Sequence, residues 1–135
     1  MKRLILTVIF LNFVVACATT KNDKQRFTRY DDYISSHNLT SLDKIRTFKF
    51  QNWKPLDNKH VILSSFRNKQ YIITLANYCV DLEITSNIFL KQAMNSSLST
   101  HFDAIIVSRH PLLECRIKTI HKLNKDQENE VLALH

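Results

Sequence analysis

The spacing of apolar positions along the chain changes several times, and each change predicts an element. Tyr30, Tyr33, Ile34 and His37 recur at helical spacing. Thr28 stands where it would cap a short helix, with Asp31 and Asp32 in the first turn, where negative charge suits the macrodipole. Asn38 follows as a left-handed stop. After Leu42 the period falls to two. Ile45, Thr47 and Lys49 face one way and Arg46, Phe48 and Phe50 the other, leading to Trp53 and the turn Pro55-Leu56-Asp57-Asn58. Val61 to Phe66 and Tyr71 to Leu75 flank Arg67-Asn68-Lys69-Gln70 as a hairpin. Further short strands are expected at Cys79 to Leu82, Asn87 to Leu90, Phe102 to Val107 and Cys115 to Ile120, the last two joined through Arg109-His110-Pro111. Met94 to Thr100 reads as a loop, and Asn124 with Gln127 as a capping box that opens an acidic C-terminal helix. The sum is an α+β domain: a small, mostly antiparallel β sheet or barrel of five or six strands with short N- and C-terminal helices.

The first residues follow another pattern. Lys2-Arg3 precedes the apolar run Leu4 to Val15, which is shorter than the ~20 residues a bilayer span requires and has the length of a signal-peptide core. The run ends in Val14-Val15-Ala16-Cys17, which resembles the lipobox of bacterial lipoprotein precursors. That resemblance implies a signal peptide over residues 1–16 and a diacylglycerol thioether on Cys17, whose freed amine can take a third chain. Two or more acyl chains make such anchoring stable. Ala18, rather than Asp, after the cysteine implies the outer membrane, with the domain facing the periplasm. Ala16-Cys17-Ala18 also fits ordinary A-x-A cleavage, which would release a soluble periplasmic protein from Thr19. Residues 17–27 read as the lipidated cysteine and a polar tether with a flexible reach of roughly 17 Å. Residues 28–135 read as one globular domain.

Composition narrows the chemistry. The chain of 135 residues has no glycine, which excludes the P-loop, the G-x-G-x-x-G fingerprint and the G-x-S-x-G elbow. Left-handed turns then fall to Asn and Asp, and eleven asparagines are present. The 19 basic and 12 acidic residues give a net charge of +7, or +5 once Lys2 and Arg3 leave. That excess is dispersed and does not imply nucleic acid, and it suits anionic envelope surfaces. With Cys17 assigned to lipid, Cys79 and Cys115 remain. A bridge between them would close a loop of roughly 37 residues, worth about 3–4 kcal/mol; two buried free thiols or a redox role are the alternatives.

Candidate chemistry is sparse. The six histidines show no metal-site spacing. His101 and Asp103, two apart, form the best ligand pair if they lie in a strand, and Arg116 and Lys118 share a strand face that would meet an anion. Asp81 and Glu83 are a two-apart carboxylate pair. No catalytic residue and no cofactor is expected, and no serine lies in a nucleophile motif.

The order Leu39–Ile45, Trp53-Lys54-Pro55-Leu56-Asp57, Tyr71–Leu75, Cys79-Val80-Asp81-Leu82, Phe102-Asp103 and Cys115–Ile120 resembles a family of small proteobacterial envelope lipoproteins classed as a domain of unknown function. The likeness spans about residues 30–123. It implies that Cys79 and Cys115 pair, and it carries no activity. Asn38 departs from the glycine expected at its place. The functional expectation is a non-enzymatic lipoprotein, held to the membrane through Cys17, that binds an envelope protein or supports assembly. The alternative is a binder of a small hydrophobic or anionic ligand.

Overall fold

The computed structural model describes residues 20–135, with side chains from Lys24 onward. The order is helix α1 (Thr20–Ser36), strands β1 (Lys44–Ile45), β2 (Phe50–Pro55), β3 (His60–Ser65), β4 (Lys69–Leu75), β5 (Ile88–Lys91), β6 (Leu98–Ser99), β7 (Ala104–Val107) and β8 (Glu114–Leu123), then helix α2 (Lys125–Ala133). The architecture is α+β: a six-stranded antiparallel sheet, ordered β2-β3-β4-β8-β7-β5 and curled into a half-barrel, with a helix at each end of the chain. β1 and β6 form a separate antiparallel pair.

The concave face is the main core. Val61, Leu63, Ile73, Leu75, Ile105 and Ile120 line it, and Phe48 and Leu82 from connecting segments fill it together with Leu98 of β6. Burying an Ile or Leu side chain stabilises by about 1.5–3 kcal/mol, so these residues fix the curl. A bulge helps. Thr74 pairs with Thr119 but Leu75 with Ile117, so Lys118 is the extra residue. Ile117 and Ile120 therefore both reach the concave core, although three apart.

A second cluster lies on the convex side. Ile62, Ile72 and Leu123 from the sheet pack under Tyr30 and Tyr33 of α1, Val131 of α2 and Leu56. Every residue of β3 is buried, because one face meets the core and the other the helices. The Tyr33 hydroxyl donates to Glu130 at 2.6 Å, joining the two helices, and burial, followed by that bond, raises its pKa.

Several sequence expectations hold at residue level. Asn124 caps α2 through the Gln127 amide while the Gln127 side chain accepts from the Asn124 amide. The positive-φ residues among those described are Asn38, Arg67, Asn68 and Asp81, so Asn and Asp do take most of the turns that glycine would.

Others are corrected. The polar segment read as a tether is helical from Thr20, so Thr28 is inside α1 and donates to the Gln25 carbonyl instead of capping. The expected strand from Ile45 to Phe50 is split, with β2 beginning only at Phe50. Cys79 to Leu82 is a turn, not a strand, and the loop over Met94 to Thr100 contains β6.

Candidate functional site

The densest set of unusual features lies at one end of the sheet, where β4 and β7 end and β5 and β8 begin. After Leu75 the chain must pass β8 and β7 to start β5 at the far edge. Three anchors guide segment 76–87 across. The Ala76 amide donates to the Arg116 carbonyl (2.9 Å), the Cys79 amide to the Asn58 carbonyl (2.7 Å), and the Glu83 amide to the Asn58 side chain (3.1 Å). Cys79 and Cys115 form a disulfide with a Cα–Cα distance of 5.6 Å.

Cys79 and Leu82 point into the core, and Asp81 between them has φ 61°. The turn therefore leaves Val80 and Ile84 outside, Ile84 at 64% exposure. The β7–β8 hairpin sits alongside. His110 donates from Nε2 to Asp81 at 2.9 Å, and Thr85 and Ser108 share a hydroxyl hydrogen bond at 3.2 Å. The tip, Pro111-Leu112-Leu113, borders an open groove of about 420 Å³ with Arg109 and His110, and Leu112 is 98% exposed. The first turns of α1 join the same end: Arg26 pairs with Glu83 at 2.5 Å, and Phe27 meets Tyr78 edge-on at 6.0 Å.

The most strongly coupled ionisable group lies deeper. His60, with 0% exposure, donates from Nδ1 to Asp57 (3.0 Å) and from Nε2 to Asp31 of α1 (3.0 Å). Asp57 also accepts the Lys59 and His60 amides, which closes the β2–β3 turn. Burial favours the neutral imidazole, but hydrogen bonds and charge from Asp57, then Asp31, outweigh it and raise the pKa. Both ring nitrogens face carboxylates, so the ring acts as a pin holding α1 to the sheet. Nothing in solution reaches it. The turn signature Asp57-x-x-His60 was visible in the sequence, but Asp31 lies 29 residues away and no local pattern points to it.

The sequence candidates are placed as follows. Cys17 lies outside the described residues. His101 and Asp103 do not share a strand face: both lie in the turn before β7, His101 exposed and Asp103 buried. The Asp103 carboxylate accepts the Ala93 (2.8 Å) and Ser99 (2.7 Å) amides, so it organises this loop. Arg116 and Lys118 are both exposed on β8, Lys118 as the extra residue of the bulge. Asp81 and Glu83 turn to different bases, His110 and Arg26. Among the described residues, no group of three or more His, Cys, Asp or Glu is placed to hold a metal ion.

A half-barrel with one disulfide among the described residues and a rim of exposed apolar turns defines a small α+β module. The chain belongs to DUF6491, a family of unknown function, which matches residues 1–133. No curated protein and no solved structure matches it significantly.

Proposed function

We propose that the protein is a non-enzymatic envelope lipoprotein, anchored through Cys17 at the periplasmic face of the outer membrane, that binds an extended segment of a protein partner along β5. One observation carries this reading: the two edges of the sheet are unlike. β2 has a register shift between Phe50 and Asn52 and ends at Pro55, features that discourage strand addition. β5 is regular over Ile88 to Lys91, contains no proline, and among the described residues makes no backbone hydrogen bond beyond its pairing with β7. Phe89 stands 61% exposed on it beside the half-buried Ile106. An extended peptide added there would gain main-chain bonds and an aromatic anchor.

A photocrosslinking residue placed at Phe89 in living cells tests the reading. A discrete protein adduct at Phe89, absent when the same group replaces exposed Asp32 on α1, is the expected result. Equal labelling at both positions, or none at Phe89, contradicts it.

The alternative, a binder of a small hydrophobic or anionic ligand, is favoured by the open groove of about 530 Å³ between His37–Leu42 and Lys122–Gln127. Saturable binding of a fatty acid or phosphate, lost in Lys122→Glu, would support that reading over the edge strand.

A further inference from the structure

We infer that the end of the sheet formed by the turns at residues 78–84 and 109–113 rests on the bilayer. The inference builds on the reading of Cys17 as the lipid-bearing residue. α1 begins at Thr20, three residues later, so in any conformation that gap spans at most about 11 Å. Seven residues further, about 10 Å along the helix, Phe27 meets Tyr78, and Arg26 reaches Glu83 from the same turn. The 78–84 turn is thus fixed to the part of the domain nearest the lipid.

Both turns present apolar side chains to solvent: Tyr78, Val80 and Ile84 on one, Leu112 and Leu113 on the other. The Asp81–His110 bond, the Thr85–Ser108 bond and the disulfide hold the two turns together as one surface. The carboxylates there are matched by bases: Asp81 by His110, Glu83 by Arg26, and Glu114 by Lys91. Arg109, exposed at the hairpin, adds positive charge. An apolar rim with matched acids and a surplus base suits an anionic headgroup layer, into which a Pro-Leu-Leu tip can insert. Phe102, also exposed, lies at the other end of β7 and on this account faces away from the membrane.

The test uses the full processed protein in phosphatidylethanolamine–phosphatidylglycerol vesicles with or without brominated acyl chains. Leu112→Trp and Phe102→Trp are compared with the wild type, whose half-buried Trp53 supplies the background. Brominated chains are expected to quench the added fluorescence of Leu112→Trp at least twofold and to leave that of Phe102→Trp unchanged. Equal quenching of the two, or none at Leu112→Trp on protein whose amino-terminal peptide carries the diacylglyceryl mass, overturns the inference. Leu112→Trp fluorescence that instead depends on protein concentration and ignores bromine identifies a second copy as the occupant and overturns it as well. An unmodified amino terminus in the same preparation removes the lipoprotein reading itself, so the two failures are told apart.

Discussion

The two halves of the half-barrel are built from the same kind of strand but are finished differently. Across β3 and β4 both faces are covered, by the concave core and by α1 with α2, so that Ile62 and Ile72 are as buried as Leu63 and Ile73. Across β5, β7 and the start of β8 the concave face is covered, while on the other side Ala104 is buried but Phe89, Glu114 and Arg116 look outward. The chain writes this difference directly. Val61–Leu63 and Tyr71–Leu75 are continuous apolar runs or nearly so, while Cys115–Lys118 alternates apolar and basic residues. The sealed half is scaffold. The open half has the disulfide where the other has helices, and leaves its edge and rim available for contact.

The comparison breaks most sharply at the bridge. Replacing Cys79 and Cys115 together by Ser is expected to cost about 4 kcal/mol, from closure of the 36-residue separation, read as a fall in the urea midpoint. An unchanged midpoint would mean that the open half is held by packing alone. Ile72→Ala, in the sealed half, should cost about 3 kcal/mol because α1 and α2 prevent collapse around the cavity. A loss below about 1 kcal/mol would show the helices to be loosely seated.

His60 gives a pH test of the same seal. Its folded pKa is raised, so its stabilisation is complete below the unfolded value near 6.5 and is lost as pH rises through the folded value. Wild-type stability should therefore decline as pH rises from about 6.5 through the raised folded value, and His60→Gln should be less stable in acid without showing that decline. Identical pH profiles would remove the pin. Thr74→Val should gain about 1 kcal/mol, since the Thr74 hydroxyl is buried without a hydrogen-bond partner. The smallest effect is expected in the open half: Phe89→Ser should change stability by less than about 0.5 kcal/mol while weakening partner capture.

The β3–β4 hairpin, strands β5, β7 and β8, and the C-terminal cap were legible because their signals are local: runs, alternation and the Asn124–Gln127 box. The beginning of α1 was not. Residues 20–27 hold one large apolar side chain, Phe27, and contacts there come from Tyr78 and Glu83, more than fifty residues on. Cys79 to Leu82 looked like a strand because its ends are apolar. A left-handed Asp81 and the bridge make it a turn that sends both ends inward. The His101–Asp103 pair failed for a related reason: Asp103 is spent on two loop amides, a role that spacing does not reveal. The apolar rim was equally hidden, since Val80, Ile84 and Leu112 resemble core residues until the topology places them outside.

Amide hydrogen exchange, comparing native outer-membrane preparations with purified protein, tests the division of labour most directly. The account predicts that amides of Phe89 to Lys91 exchange at least tenfold more slowly in the native membrane while those of Val61 to Ser65 are unchanged. Equal exchange at β5 in the two preparations, or protection gained only in the β3–β4 half, would contradict it.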